Sequence, residues 1–171
     1  MSDLNVVSYR LDFPLKKYEL EIYRSGVCRS LAELNIVNDE LLWDSTGYVR
    51  LDHYLENKKA SYVNEKLYRL LKALRRITEG FLSASLYLVY SDAISLDPDK
   101  VFISEKGDRA VLLPGHSDEG YIKRLCDLCS RYKDCSGDVV ASKIMEQQAE
   151  GALDHRSLLR FLSSWELELR S

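Results

Sequence analysis

Three cysteines lie close enough in the sequence to suggest metal binding: Cys126 and Cys129, separated by two residues, and Cys135. Thiolates at this spacing occur in zinc and iron–sulfur sites, but the fourth ligand that such sites require has no candidate nearby. Cys126 and Cys129 also fall on the apolar stripe of a predicted helix that carries Ile122 and Leu125, where a free cysteine packs as a small hydrophobic residue. We therefore favour core packing and expect no bound metal.

The acidic and histidine residues form no recognisable active-site pattern. Asp97 and Asp99 flank a proline and could bind a cation, but the same arrangement is typical of a turn that leads into a strand, and we favour the turn. His53, His116 and His155 fall in different predicted elements. None of them has a serine or cysteine in a protease or nucleophile-elbow context, so a hydrolase has no local support.

A β-hairpin is predicted at the centre of the chain. Two short apolar runs, residues 101–103 and 110–113, are separated by a turn that contains Lys-Gly-Asp. Pro98 disfavours helix at the residue before it, so the preceding helical region ends here. We expect Phe102 and Leu112 to be buried anchors of the hairpin, because the apolar face of the preceding helix needs a surface to pack on.

The element before the hairpin is predicted to be a long amphipathic helix that begins at about residue 64. Its apolar residues recur at helical spacing: Leu67, Leu70, Leu71, Leu74, Ile77 and Phe81. We expect Gly80 to end or bend this helix, with a second helical stretch to about residue 90. Five basic residues predict either a patch for phosphate or an acidic partner, or a solvated helix face, which we favour: Lys66, Arg69, Lys72, Arg75 and Arg76.

The central stretch resembles the catalytic-loop region of protein kinases. There, His-Arg-Asp-Leu-Lys-Pro-Glu-Asn-Ile-Leu-Ile-Asp precedes Asp-Phe-Gly; here, Leu-Asp-Pro-Asp-Lys-Val-Phe-Ile-Ser precedes a charged turn and an apolar strand. Aligning Pro98 with the kinase proline puts Ser95 at the catalytic aspartate, Lys100 at the magnesium-binding asparagine and Leu113 at the aspartate of Asp-Phe-Gly. Phosphoryl transfer needs carboxylates to hold the metal ions and orient the hydroxyl. The resemblance therefore implies a kinase-like scaffold without its catalytic groups.

Two bacterial families are similar to this stretch in more detail. The first is an uncharacterised domain that precedes forkhead-associated (FHA) domains in Gram-positive bacteria, with the pattern Leu-Leu-Leu-Asp-Pro-Glu-x-Ile-Phe-x-Asp and a strand ending in Leu-Pro. Residues 95–104 and 112–114 match that pattern, although the 171 residues hold no FHA domain. The second, more distant family is the pseudokinase-like cytosolic subunit of type VII secretion systems. The resemblance spans roughly residues 17–161, and its specific part is the hairpin region.

The N-terminal third is predicted to form a small antiparallel sheet. Residues 18–23 alternate apolar and charged side chains at period two, which is typical of a half-buried strand. Residues 41–43 and 48–51 are predicted to form a hairpin with its turn at Ser-Thr-Gly. The resemblance implies that this sheet is a reduced kinase N-lobe with residues 53–55 as the hinge. Neither the glycine-rich loop nor the lysine-bearing strand of a kinase is recognisable.

Three further helices are predicted after the hairpin, at about residues 119–132, at 139–148 and from 153 onward. We therefore predict an α+β protein with a shortened protein-kinase-like (pseudokinase) fold: a small N-terminal antiparallel sheet and a mainly helical C-terminal lobe with a central β-hairpin. At 171 residues the chain is long enough for one domain with its own core. We expect residues 1–171 to form a single domain, with sub-lobes 1–58 for the sheet and 59–171 for the helices.

Charge and composition argue against several partners and locations. The 24 basic and 27 acidic residues give a net charge of −3, which provides no field that favours nucleic acid or an anionic membrane. The N-terminus lacks the basic flank and apolar core of a signal peptide, and no apolar run approaches the roughly 20 residues of a spanning helix. We therefore expect a cytoplasmic protein that neither binds nucleic acid nor inserts into a membrane.

The function implied by the resemblance is binding without catalysis. We expect no enzyme activity and no cofactor, but a protein partner, with this chain as a scaffold or interaction module in a bacterial secretion, pilus or signalling assembly. The 11 tyrosines suit such a surface as well as they suit a core. Two alternatives stay open, a nucleotide-binding switch or atypical kinase and a metal-binding module built on the cysteines. Homo-oligomerisation also stays open.

Overall fold

The computed structural model describes residues 5–56, 63–151 and 153–170. Within these residues the protein combines two small antiparallel sheets with a mostly helical remainder, which confirms the predicted α+β class. The predicted boundary between the two sub-lobes, at residues 58 and 59, lies outside the described residues.

The first sheet uses the N-terminal strands in the order β1-β3-β2, and all its pairs are antiparallel: β1 (Val6–Arg10), β2 (Asn35–Val37) and β3 (Glu40–Asp44). A two-residue turn joins β2 to β3. Its residues, Asn38 and Asp39, have φ angles of 50° and 64°, as the favoured hairpin turn requires. The prediction of a small antiparallel sheet at the N-terminus is confirmed.

The second sheet contains the central hairpin and one strand from the N-terminal region, in the order β4-β5-β6: β4 (Tyr48–Arg50), β5 (Val101–Ser104) and β6 (Ala110–Leu112). The predicted hairpin is therefore confirmed, with Phe102 opposite Val111. Gly107, at φ +71°, supplies the left-handed conformation in its turn. Phe102 is 2% exposed and Leu112 is fully buried, as expected of anchors.

Residues 18–23, predicted as a strand, instead belong to helix α1 (Lys17–Ser25). The Glu19 carboxylate accepts a hydrogen bond at 2.8 Å from the backbone N–H of Lys16, the residue before the helix. Gly26, at φ 66°, ends the helix. The buried face consists of Glu19 and Tyr23, which lie four residues apart and so on one side of a helix. The strand prediction is wrong because the capping contact of Glu19 and the left-handed Gly26 define a helix, and they outweigh the period-two alternation.

The hairpin predicted across residues 41–51 is also wrong, because its two halves belong to different sheets. Strand β3 pairs with β1 and β2, whereas β4 pairs with β5. Between them, the Asp44 carboxylate accepts hydrogen bonds from the backbone N–H and the hydroxyl of Thr46, at 3.1 and 2.7 Å. The Ser-Thr-Gly segment is thus a turn that passes the chain from one sheet to the other.

Five more helices complete the fold of the described residues, and they include the three predicted after the hairpin: α2 (Leu51–Leu55), α3 (Val63–Ser85), α4 (Tyr121–Ser130), α5 (Gly137–Glu150) and α6 (His155–Arg170). Short 3-10 turns lie at Ser91–Ala93, Pro98–Lys100 and Lys133–Cys135. Residues 53–55, the hinge implied by the resemblance, belong to α2. None of the helices in the described ranges is long and apolar enough to cross a membrane.

Helix α3 passes through Gly80 without a break and ends at Ser85, so the predicted second helical stretch is the last part of the same helix and stops five residues short of residue 90. Its C-terminus is closed by two hydrogen bonds, from the N–H of Leu88 to the carbonyl of Ser85 and from the N–H of Val89 to that of Ala84. Leu88 is left-handed, at φ 62°. This is the Schellman pattern, with a leucine in the position that glycine usually occupies.

The core is organised around α3, which contacts both α6 and strand β6. Leu70, Leu74 and Ile77 are fully buried on this helix. A Cβ atom on Gly80 would lie 3.0 Å from Cδ1 of Leu112, so the glycine allows the helix to approach the hairpin closely. The expectation that the apolar face of this helix packs on the hairpin is confirmed.

Candidate functional site

Three tyrosines from the N-terminal region hold the loop between α3 and β5, residues 86–100. Each hydroxyl donates to a backbone carbonyl oxygen: Tyr9 to Asp99 at 2.6 Å, Tyr18 to Leu88 at 3.0 Å and Tyr23 to Ala93 at 2.9 Å. Tyr23 is fully buried, and its hydrogen bond is therefore shielded from competition by water. These bonds give an otherwise irregular loop a fixed path.

A guanidinium from α4 holds the same loop from the other side. Arg124 donates from Nη1 to the carbonyl of Ser91 at 2.5 Å and from Nη2 to that of Ile94 at 2.7 Å. Partial burial lowers the pKa of Arg124 below its usual value, but a guanidinium remains charged in a protein. The Arg124 guanidinium thus binds two backbone carbonyl oxygens of the loop.

The loop brings together two of the positions that the kinase resemblance aligns with catalytic groups. The backbone N–H of Ser95 donates to the carbonyl of Leu113 at 2.9 Å, and Ile94 forms an antiparallel bridge with Pro114. A Cβ atom on Gly115 would lie only 2.5 Å from the backbone nitrogen of Ser95. A residue with a side chain does not fit there without movement of the backbone.

The third aligned position, Lys100, lies with Ser95 at an open cleft of about 490 Å³, which we call the loop cleft. Its lining residues are Phe13, Ser95, Leu96, Asp97, Lys100, Gly115, His116, Ser117 and Arg124. The Lys100 ammonium lies 5.7 and 5.9 Å from the ring centroids of Tyr9 and Phe13. Contacts of this kind favour a cation over the ring faces. Although Leu113 itself is buried, the residues that follow it line the cleft.

One carboxylate lines the loop cleft, and it has a structural role. Asp97 Oδ1 accepts the backbone N–H of Asp99 at 3.1 Å, and this caps the 3-10 turn that leads into β5. The preferred interpretation of Asp97 and Asp99 as turn residues is therefore confirmed. Around it stand two cations and the hydroxyls of Ser95 and Ser117. Such a set of groups suits an anion or a polar peptide better than a divalent metal ion.

The cysteines are buried, as core packing predicts. Cys126 and Cys129 lie on α4 and Cys135 follows in a 3-10 turn, with exposed fractions of 7%, 0% and 1%. Burial raises the pKa of the Cys126 and Cys135 thiols to about 11, and it raises that of Cys129 further. Across the described ranges, no cluster of three or more histidine, cysteine or acidic side chains is arranged to hold a metal ion.

The histidines lie in three different environments. His116 is exposed at the loop cleft and His53 is exposed on α2. His155 is half-buried at the start of α6, where it stacks on Tyr121 with a centroid separation of 4.4 Å, and burial lowers its pKa. Its contacts are therefore those of a packing residue.

The basic residues of α3 do not form the solvated face that we favoured, since all five are half-buried. Arg69 donates to the carbonyl of Tyr54 at 2.7 Å, and Arg76 to that of Gly107 at 3.3 Å. Arg75 forms two hydrogen bonds with Glu166, at 2.6 and 3.2 Å. Hydrophobic periodicity could not reveal this arrangement, because the partners lie up to 91 residues away in the sequence.

No protein-family model, curated protein or solved structure matches this chain. The function must therefore be inferred from the chemistry of the described residues. The loop cleft offers cations and hydroxyls in a fixed frame, and its one carboxylate is already engaged. These groups suit a polar or anionic ligand.

Proposed function

We propose that the protein is a non-catalytic, pseudokinase-like interaction module that binds a partner protein in the bacterial cytoplasm. The observation that carries the proposal is the composition of the loop cleft. The groups aligned with the catalytic base and the metal ligands of a kinase are Ser95, Lys100 and Leu113, and the first and last are joined by a hydrogen bond of 2.9 Å. The close contact between these two segments supports a kinase-like arrangement of the loop.

The chemistry of these residues opposes phosphoryl transfer. A lysine ammonium at a metal-ligand position repels a divalent cation, and the buried Leu113 offers no ligand atom. Ser95 Oγ accepts the backbone N–H of Asp97 at 3.1 Å, and a neutral hydroxyl is a far weaker base than a carboxylate. Binding therefore remains the function that these residues support best.

A partner surface on the C-terminal helices is favoured by exposed apolar side chains. Val139 and Met145 on α5 and Leu167 on α6 are 50%, 51% and 65% exposed. Exposed apolar groups of this size stabilise a complex when a partner covers them. We infer that the partner contacts the exposed surfaces of these two helices, while the loop cleft and the hairpin supply a rigid frame.

Isothermal titration calorimetry with ATP, with and without magnesium, tests the proposal. We expect no magnesium-enhanced binding by the wild-type protein. A micromolar affinity that depends on magnesium would refute the proposal and favour an atypical kinase.

A pair of variants tests the nucleotide-switch alternative in the same assay. Lys100→Asn removes the ammonium from the loop cleft, whereas Lys106→Asn removes an exposed lysine from the hairpin turn outside it. If ATP binds without magnesium and only Lys100→Asn weakens it, the cleft is a nucleotide site and the scaffold proposal is wrong. If neither the wild type nor the variants bind ATP, the proposal stands.

A further inference from the structure

Strand β1 lies at one edge of the first sheet and pairs with β3 on one side only. At one end of this ladder the N–H of Ser45 donates to the carbonyl of Asn5 at 2.8 Å. At the other end the N–H of Leu11 donates to the carbonyl of Asp39 at 3.4 Å. Because hydrogen-bonded pairs alternate along an antiparallel ladder, every second residue of β1 turns its N–H and C=O groups away from β3. The outward residues are Val6, Ser8 and Arg10.

This outer edge of β1 is open. Within residues 5–56, 63–151 and 153–170, no hydrogen bond reaches the backbone of the three outward residues, and no helix or strand except β3 packs closely along β1. The outer edge of β6, in contrast, is covered, since Leu112 donates to Ser30 and accepts from Ala32, each at 2.9 Å. Proteins commonly block an open edge with a proline, a bulge or a charge. Strand β1 has an unbroken register, no proline and one charge, at its last residue.

The inner face of β1 suits a second copy of the same strand. Val7 and Tyr9 are half-buried on this face and pack against the core. In an antiparallel pairing centred on Ser8, Val7 of each copy lies opposite Tyr9 of the other. Pairs of an aromatic and a β-branched side chain stabilise antiparallel sheets. Although Lys100 lies over one face of the Tyr9 ring at 5.7 Å, the side chain keeps exposed surface that such a pairing would cover.

The outer face of β1 suits the same register. Its three side chains are exposed, with Val6 at 49%. The pairing centred on Ser8 sets Arg10 of each copy opposite Val6 of the other, so no two like charges face each other. It also gives the outward N–H and C=O groups of β1 their partners. A pairing centred on Arg10 would instead oppose two guanidinium groups, which is destabilising. The strand is therefore complementary to itself in the register centred on Ser8.

We propose that two copies of the protein associate through β1, antiparallel and centred on Ser8, so that their first sheets join into one continuous sheet. The two-fold axis lies perpendicular to the sheet, and each copy uses the same edge, so the assembly closes at two copies. The interface is small, and the dissociation constant should therefore be high, up to about 1 mM. This association goes beyond the proposed function, because it requires no other protein.

Sedimentation equilibrium over a concentration series up to about 1 mM measures the association. We expect a reversible dimer in the wild type. Ser8→Pro should weaken it at least tenfold, because the variant loses the central N–H donor of the pairing, while the ladder to β3, which does not use this N–H, is kept. Ser8→Ala is the matched control, since it keeps the N–H and should still dimerise. Circular dichroism establishes that both variants are folded.

A pair of charge variants tests the register independently of Ser8. Val6→Lys places a cation opposite Arg10 of the second copy and should weaken the dimer about fivefold, whereas Val6→Glu should strengthen it about fivefold. Within one copy Val6 lies opposite Asp44, so effects on the stability of the monomer have the reverse sign. Val37→Lys and Val37→Glu are the controls, because Val37 is 51% exposed on β2, at the other edge of the same sheet. They should leave the dimer unchanged.

Amide hydrogen exchange gives a direct readout of the paired edge. The N–H groups of Val6, Ser8 and Arg10 should exchange more slowly as the protein concentration rises, while those of Val7 and Tyr9 are already protected by β3.

Several results would overturn the assignment. A monomer at every concentration would do so, and so would a dimer that Ser8→Pro leaves intact. If Val6→Lys strengthens the dimer and Val6→Glu weakens it, the register centred on Ser8 is wrong. A dimer lost in Leu167→Ala but kept in both Val6 variants would assign the contact to α6 instead. None of these measurements involves a nucleotide or another protein, so this proposal and the scaffold proposal can fail separately.

Discussion

Replacement of Phe102 by alanine should destabilise the protein more than any surface substitution. Phe102 lies in the middle of β5, with Val111 and Arg50 opposite it on the two neighbouring strands. Its ring packs against Trp43 of the first sheet, edge to face, with a centroid separation of 4.7 Å. The side chain is therefore a contact between the two sheets as well as part of the second one.

The magnitude follows from burial and from this aromatic contact. Truncation of a buried phenylalanine costs about 3–5 kcal/mol of folding free energy. Loss of the aromatic pair with Trp43 accounts for about 0.5–1.5 kcal/mol of that cost. A domain is stable by about 5–15 kcal/mol in total. For a chain of this length the loss of 3–5 kcal/mol corresponds to a fall in melting temperature of roughly 6–20 °C.

Thermal and urea denaturation followed by circular dichroism measure the effect of Phe102→Ala. Leu86→Ala is the control, because Leu86 is 82% exposed and its truncation should change the free energy of unfolding by no more than about 0.5 kcal/mol. If Phe102→Ala melts like the wild type but loses its partner, the hairpin is itself the binding surface. The packing of the two sheets through Phe102 would then be refuted.

Two further predictions concern a tight backbone contact and the buried thiols. Gly137→Ala should destabilise the protein by about 1–3 kcal/mol, because its Cβ would lie 1.8 Å from the carbonyl oxygen of Cys129, while Gly151→Ala, which meets open space, should be nearly neutral in the same urea titration. Burial raises the pKa of Cys126 and Cys135 from 9.0 to about 11, so the unfolded chain loses these protons at lower pH than the native protein. Their contribution to stability should therefore be complete below pH 9 and be lost as the pH rises to about 11, and serine variants should flatten this part of the stability profile. A profile that is equally steep without the thiols would contradict their burial.

The parts of the fold that the sequence predicts correctly are those specified by local signals. The hairpin of β5 and β6 combines two apolar runs with a turn glycine, and α3 has an unbroken apolar stripe that includes Leu70 and Leu74. Both signals are complete within about 20 residues. The strong period of the stripe also explains why Gly80 does not interrupt the helix, because packing against β6 outweighs the low helix propensity of glycine.

The errors arise where distant partners decide the conformation. Residues 18–23 alternate like a strand, but burial of Tyr23 is fixed by a hydrogen bond to Ala93, 70 residues away. The basic residues of α3 were assigned to solvent because Glu166, which binds Arg75, lies 91 residues later. Ser95 and Lys100, which the kinase alignment singles out, both line the loop cleft, although the sequence alone did not predict a cleft there.

The tyrosine hydrogen bonds to the loop of residues 86–100 also constrain how the chain folds. Each joins groups that are 70 or 90 residues apart, so each requires the closure of a long loop before it can form. Contacts of such separation slow folding relative to the local contacts of a helix. During synthesis, none of these hydrogen bonds can form before the chain has reached Leu88, whose carbonyl accepts from Tyr18. The loop cleft, which residues of this loop line, can therefore take its final form only after the N-terminal tyrosines have bound the loop.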